Sequence, residues 1–214
     1  GVHMELRGLY LIVDPEQMRG RDPVAVARAA LRGGARLVQY RDKLHDKGDQ
    51  LPVVRALITV CRAAGVPLLV NDHVDLALAA GADGVHVGQH DLPVAVARQL
   101  LAADAIVGCS TNNPTEAAAG EAAGASYVAV GRIFPTQSKA NTRPATLDTI
   151  RAVKRAVGLP NVAIGGITAD NVDAVIAAGA DAAAVIGAVC GADDVEAAAR
   201  AISSRFAGRG SGGR

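Results

Sequence analysis

Short apolar runs recur along the chain, separated by longer stretches in which apolar residues return every third or fourth position. The runs are Leu9–Val13, Leu37–Tyr40, Leu68–Val70, Gly84–Val87, Ala105–Val107, Tyr127–Val130, Val162–Ile164 and Ala183–Ile186. Each is brief and bounded by Gly or polar residues, the pattern of a strand covered on both faces. The helical period appears near Pro23–Leu31, Gln50–Ala64, Val74–Ala79, Pro93–Leu101, Thr115–Ala122, Leu147–Ala156, Asn171–Ala177 and Val195–Phe206. Pro23, Pro93 and Pro114 fall near helix starts, where a missing N–H costs nothing.

One local pattern is used four times: Gly33-Gly34-Ala35, Gly81-Ala82-Asp83, Gly124-Ala125-Ser126 and Gly179-Ala180-Asp181, each after an Ala-rich stretch and before an apolar run. Glycine suits the residue just past a helix, where φ is positive, so each copy reads as helix, turn, strand. Repetition of that unit means a parallel sheet with helices as crossovers. Eight such units in 214 residues predict a single (β/α)8 barrel over residues 4–207. The rival, an open doubly wound sheet, needs no such even spacing, and no GxGxxG follows the first strand. Gly1-Val2-His3 reads as a vector remnant, and the Gly/Ser/Arg-rich end at 208–214 as a disordered tail.

In such a barrel the chemistry lies at the C-terminal ends of the strands. There the sequence places Asp14; Gln39-Tyr40-Arg41-Asp42-Lys43; Asn71 and Asp72; His86, Gly88, Gln89, His90 and Asp91; Ser110, Thr111 and Asn112; Gly165-Gly166; and Ile186-Gly187. The sixth strand is followed by GRIFPTQSKANT (Gly131 to Thr142). It sets Thr136, Gln137, Ser138, Lys139, Asn141 and Thr142 side by side, hydroxyls and amides next to one ammonium, a grip for an anionic oxygen. Asp72 and Asp91 end adjacent strands, which lie about 4.8 Å apart, so both carboxylates reach one hard cation such as Mg²⁺. Each also has the composition of a helix N-cap, which stays open at this stage. Arg41 and Lys43 alternate across Asp42 and share a face; with Lys139 they set three cations around one rim, a field suited to a diphosphate. Gly165-Gly166 and Ile186-Gly187 suit the barrel phosphate site, or are simply tight turns. His86 lies within a strand and reads as a hydrogen-bonded interior histidine rather than a catalytic one.

Charge narrows the partners. Lys+Arg is 22 and Asp+Glu 21, without a basic stripe, and the five aromatic residues are all Tyr or Phe, so a nucleic-acid surface is disfavoured. Cys61, Cys109 and Cys190 are far apart and match no zinc spacing, pointing to buried thiols in a reducing, cytoplasmic setting. No run is long enough to span a bilayer, and no signal peptide is visible. A homo-oligomer stays open.

Six motifs in order then resemble the thiamine-phosphate synthase (thiamine-phosphate pyrophosphorylase) family from about Leu9 to Phe206: VQYRDK (Val38 to Lys43), VND (Val70 to Asp72), GVHVGQHDLP (Gly84 to Pro93), GCST (Gly108 to Thr111), FPTQSK (Phe134 to Lys139) and AIGGI (Ala163 to Ile167). The resemblance implies joining of 4-amino-2-methyl-5-(hydroxymethyl)pyrimidine diphosphate to 4-methyl-5-(2-phosphooxyethyl)thiazole, with Mg²⁺, to give thiamine phosphate and pyrophosphate. It implies that the run Gln39, Tyr40, Arg41, Asp42, Lys43, with Asn71, Ser110 and Lys139, meets the pyrimidine diphosphate. Arg41, Lys43, Ser110 and Lys139 would act on the reacting group, and Asp72 and Asp91 would hold Mg²⁺. Thr136, Gln137, Ser138, Gly166, Ile186 and Gly187 would hold the thiazole phosphate. Three positions depart from the family pattern: Asn112 follows GCST where His is often found, Tyr40 replaces the usual Leu, and Gly187 replaces a common Ser. Two other readings stand beside this one. A TenI-type thiazole tautomerase shares the fold but has no use for the Asp pair and the Arg/Lys cluster. A non-catalytic sensor of a thiazole phosphate is the reading from another class.

Overall fold

The computed structural model describes residues 4–136 and 143–207. Eight parallel strands close into a barrel in chain order. They are β1 (Gly8–Val13), β2 (Leu37–Tyr40), β3 (Leu68–Asn71), β4 (Gly84–Val87), β5 (Ile106–Thr111), β6 (Tyr127–Val130), β7 (Asn161–Ile164) and β8 (Ala182–Val185). The helices outside are α1 (Pro23–Arg32), α2 (Lys47–Ala63), α3 (Val74–Ala80), α4 (Val94–Leu100), α5 (Pro114–Ala122), α6 (Leu147–Ala156), α7 (Val172–Ala178), α8 (Gly187–Cys190) and α9 (Val195–Ser203). Closure comes from β1 pairing with both β2 and β8, Tyr10 lying opposite Leu37 on one side and Ala184 on the other.

The period of two along each strand sorts the core into two shells. Leu9, Leu11, Val13, Val38, Tyr40, Val70, Val85 and Val128 face the helices in one continuous cluster. Tyr10, Ile12, Leu37, Leu69, Tyr127, Ala129, Val162, Ala184 and Ile186 fill the barrel. The glycine after each of four helices does what the repeat predicts: Gly34, Gly81, Gly124 and Gly179 have φ of 105°, 77°, 100° and 110°. Gly108 serves a different end. A Cβ there would lie 2.0 Å from Cζ of Tyr127, so its absence lets that ring cross the barrel.

Beyond shifts of a residue or so at element ends, and a 3-10 turn at Ser204–Phe206 that replaces the end of the last helix, three differences from the sequence expectation stand out. β5 continues through Ser110 to Thr111 instead of ending near Val107, because its polar end pairs with Ala129 and Val130 of β6. α2 starts at Lys47 rather than Gln50. Its first turn carries no apolar face to detect; Gln50 Nε2 instead donates to the His45 and Asp42 carbonyls at 2.7 and 3.3 Å. The four-residue α8 is too short to show a helical period.

Candidate active site

Two halves meet at the C-terminal end of the barrel, one rich in charge and one a cavity. The charged half is built on β1 to β4. Asp14, 1% exposed at the end of β1, receives Arg41 Nη1 at 2.7 Å, so the guanidinium is fixed before any ligand arrives. Beyond β2 the alternation continues. Gln39, Arg41 and Lys43 take one side, while Tyr40 and Asp42 take the other. The Tyr40 hydroxyl donates to Asp42 Oδ2 at 2.6 Å, and the same carboxylate accepts the Leu44 and His45 N–H groups at 2.8 and 3.0 Å. Tyr40 and Asp42 therefore do not join the rim. They knot the loop that aims Arg41 and Lys43, and Tyr40 packs under the helices.

Lys43 Nζ reaches Asp72 Oδ2 at 2.5 Å. Asp72 has φ of 64°, and the His73 N–H closes onto the Asn71 carbonyl at 2.7 Å across it. That is a γ-turn with a left-handed centre, strained by about 1–3 kcal/mol for a residue with a side chain. The strain turns the carboxylate toward Lys43 and Asp91. Neither aspartate caps a helix: His73 holds the N-cap of α3 and Pro93 that of α4. The two carboxyls lie close enough to influence each other's ionisation. Burial opposes ionisation of Asp72, but Lys43 and the bond to Asp91 hold its carboxyl below the usual range. Asp91 is pushed up, by burial first and then by Asp72, despite a 2.7 Å bond from the Gly88 N–H. Among the described residues no third His, Cys, Asp or Glu completes a cluster around them. Two hard oxygen donors with an open side suit a cation that takes its other ligands from a phosphorylated molecule and water.

The other half is a cavity of about 820 Å³ between β5 and β8. Ser110, Arg132, Thr136, Gly166, Ile186 and Gly187 line it, together with Gln17 from the 3-10 turn after β1. Its roof is the segment after β6, laid along β7 by Ile133 N–H to Ile164 O at 3.0 Å and Phe134 N–H to Gly165 O at 3.1 Å. Gly165 and Gly166 make that crossing passable. Added Cβ atoms would meet Arg132 Cα at 2.9 Å and Pro135 O at 2.5 Å, and φ is 108° and 62°. Asn112 Nδ2 reaches the carbonyls of Gly131, Arg143 and Pro144 at 3.1, 3.2 and 2.9 Å, and Arg143 grips Glu116 through two bonds of 2.9 and 2.7 Å. The departure at Asn112 thus ties both flanks of the loop together. Gln137, Ser138 and Lys139 lie outside the described residues.

Ser110 stands where the halves join. Its Oγ is 2.7 Å from His86 Nε2, and His86 Nδ1 is 2.8 Å from the Tyr127 hydroxyl. His86 is an interior, hydrogen-bonded histidine, as its place in a strand implies. Asn71, at the end of β3, shares the inner face with Leu69. Arg132, Gln17, Tyr10 and Tyr127 join the site without having been among the residues that the sequence marks for it. Arg132 was visible two residues past β6, and its Nε is buried with no hydrogen-bond partner among the described residues. Tyr10 and Tyr127 looked like ordinary strand residues, and only barrel closure brings them together.

Comparison with known proteins agrees with this layout. Residues 9–189 match a family model described as thiamine monophosphate synthase. A thiamine-phosphate synthase of Natronomonas pharaonis is 48% identical over 205 residues, covering 94% of this chain and 95% of that one. One from Chloroflexus aurantiacus is 48% identical over 195 residues, covering 91% and 90%. The solved thiamine phosphate pyrophosphorylase of Pyrococcus furiosus superposes with a TM-score of 0.85 at 36% identity, covering 93% of this chain and 95% of that one. The barrel, its rim chemistry and these relatives together show that this chain belongs to the thiamine-phosphate synthase family.

Proposed function

We propose that this chain joins 4-amino-2-methyl-5-(hydroxymethyl)pyrimidine diphosphate to 4-methyl-5-(2-phosphooxyethyl)thiazole, releasing thiamine phosphate and pyrophosphate. The observation that carries the proposal is the pairing of a cationic, dicarboxylate rim with a separate cavity of about 820 Å³, roomy enough for a phosphorylated ring, joined at Ser110. Asp72 and Asp91 would hold Mg²⁺, whose charge, when bound, neutralises the diphosphate. Burial first, and then the neighbouring Asp72, raises the Asp91 carboxyl, and a cation held between the two would offset both effects.

Arg41, braced by Asp14, and Lys43 meet the diphosphate oxygens; Lys139, as the family resemblance implies, would add a third cation. Together they stabilise the charge that develops as the pyrimidine C–O bond breaks and the diphosphate leaves with the electron pair. The pyrimidine methylene cation left behind is stabilised by its ring amino group. The thiazole nitrogen then attacks that carbon. Thr136, Gln137, Ser138, Gly166, Ile186 and Gly187 anchor the thiazole through its phosphate, so the nitrogen is aimed before the bond breaks. No protein nucleophile is required. A tautomerase has no role for the Asp72–Asp91 pair, which places that reading second.

The test is pyrophosphate release with both substrates, with and without Mg²⁺, following thiamine phosphate by mass. One thiamine phosphate per pyrophosphate, dependent on Mg²⁺ and both substrates, is the expected result; release from the diphosphate alone would sink the proposal. Lys139→Ala should lower kcat by roughly 10²-fold or more, the scale of removing one charge-stabilising donor. Wild-type turnover in that variant would remove Lys139 from the leaving-group role.

A further inference from the structure

Five side chains form an unbroken hydrogen-bonded file across the barrel interior. Gln39 Nε2 is 2.7 Å from the Tyr10 hydroxyl, which is 2.6 Å from the Tyr127 hydroxyl. The file continues from Tyr127 to His86 Nδ1 at 2.8 Å and from His86 Nε2 to Ser110 Oγ at 2.7 Å. It visits β2, β1, β6, β4 and β5, so no local sequence motif encodes it. Tyr10, Tyr127, Gln39 and His86 are all buried. Tyr10 meets Tyr127 edge-on, and His86 stacks on Tyr127 at 5.6 Å. Gly108 lies opposite both His86 and Tyr127 in the sheet and leaves room for the crossing.

Counting hydrogens leaves this file two states. Each hydroxyl has one hydrogen, a neutral imidazole has one, and an amide offers a donor at one end and an acceptor at the other. In the forward state Gln39 N–H donates to Tyr10, Tyr10 to Tyr127, Tyr127 to Nδ1 of His86, and Nε2–H to Ser110. The Ser110 hydrogen is then free to point into the site. In the reverse state every bond is inverted: Ser110 donates to Nε2, Nδ1–H to Tyr127, Tyr127 to Tyr10, and Tyr10 to Oε1 of a flipped Gln39. Ser110 then shows the site only lone pairs. A mixed arrangement with a neutral imidazole strands a buried hydroxyl or ring nitrogen, at a cost of about 1–3 kcal/mol. The amide orientation of Gln39 and the hydroxyl orientation of Ser110 are therefore locked together through three buried side chains.

We propose that Tyr10, Tyr127 and His86 are positioning residues that carry the hydrogen-bonding pattern read at Gln39 to the hydroxyl of Ser110. The consequence for specificity rests on the synthase reading above. An aminopyrimidine offers an N–H beside a ring nitrogen, which Gln39, placed against the pyrimidine by the family resemblance, would meet with Oε1 and its second N–H. That leaves the first N–H for Tyr10 and selects the forward state, in which Ser110 donates to the departing diphosphate. A 4-oxo pyrimidine offers the opposite pattern, flips the amide and selects the reverse state. Ser110 then faces the anion with lone pairs, so rejection at Gln39 is reinforced where the bond breaks.

The file itself is tested in the free chain, whatever the substrate. Ring ¹⁵N spectra of the labelled full chain, with His86 assigned by loss of its signals in His86→Asn, report which nitrogen carries the hydrogen. Gln39→Glu offers Tyr10 only acceptors and should place the hydrogen on Nδ1. Gln39→Met removes the acceptor and should place it on Nε2. The same tautomer in both variants, or a doubly protonated ring in Gln39→Met, would overturn the proposal. Tyr127→Phe then tests the consequence in turnover. It should reduce the preference for the 4-amino over the 4-oxo diphosphate by about 10-fold, the value of one unpaired buried group. The recovered part should lie in kcat, leaving the KM difference in place. An unchanged preference in a folded Tyr127→Phe would refute the coupling. Failure of the synthase reading shows separately, as no pyrophosphate release from the 4-amino compound by the unaltered chain.

Discussion

At Asp72 a single residue combines a left-handed backbone with a carboxylate at the rim. That backbone opposes folding, and the γ-turn, the Asp72 N–H bond to the His86 carbonyl at 2.8 Å, the Lys43 bond and the interaction with Asp91 keep the carboxylate at the rim. Asparagine tolerates the same backbone. Asp72→Asn should therefore stay folded by circular dichroism while Mg²⁺-dependent turnover falls by about 10²-fold or more, the order lost with a charge-stabilising group; activity close to wild type would exclude a metal role. Asp42 makes the complementary case. Burial raises its carboxyl, but Tyr40, the His45 and Leu44 N–H groups and the His45 ring outweigh that and hold it below the usual range. A carboxyl lowered by folding stabilises above its unfolded pKa and loses that contribution as pH falls through the folded value. Asp42→Asn should thus lower stability at neutral pH and flatten the acid limb of the stability curve. Parallel curves for the two proteins would show that the loop knot stores no such linkage. The residue types at both positions were legible in sequence, but their orientation was not. Tyr40 and Asp42 share the VQYRDK motif with Gln39, Arg41 and Lys43, yet the period of two turns them under the helices.

At the scale of elements, the strand β7 and the segment crossing its end show why two glycines follow Ile164. Gly165 combines a φ of 108° with a Cβ position 2.9 Å from Arg132 Cα, so any side chain meets both backbone strain and backbone atoms. Gly165→Ala should cost about 1–3 kcal/mol by overpacking and lift the roof from the cavity. A raised KM for the thiazole phosphate, with that for the pyrimidine diphosphate unchanged, is the expected kinetic sign; equal rises in both would point to general loosening. The helices and strands themselves were mostly readable because each has its own period and its own terminal glycine. The exceptions were polar or brief: the end of β5, the first turn of α2 and α8 have no repeating apolar pattern to detect.

For the molecule as a whole, packing of the helices against the barrel puts all three cysteines out of reach. Cys61, Cys109 and Cys190 are buried, and burial pushes their thiols up to about 12, 11 and 12. An aromatic disulfide reagent should label none of them in the native state and all three in denaturant; prompt labelling would mean that the outer shell opens readily. Among the described residues no helix is long and apolar enough to cross a membrane. The chain's linear order determined the eight units, their sequence and the rim residues, because periods of 2 and 3.6 and the glycine past each helix are local properties. Tertiary structure decided what those residues face. Closure brings Tyr10 of β1 to Tyr127 of β6, 117 positions apart, and divides the rim into a charged half and a cavity. Such contacts depend on how strands far apart in sequence meet around the barrel, and a pattern of neighbours along the chain holds no record of that distance.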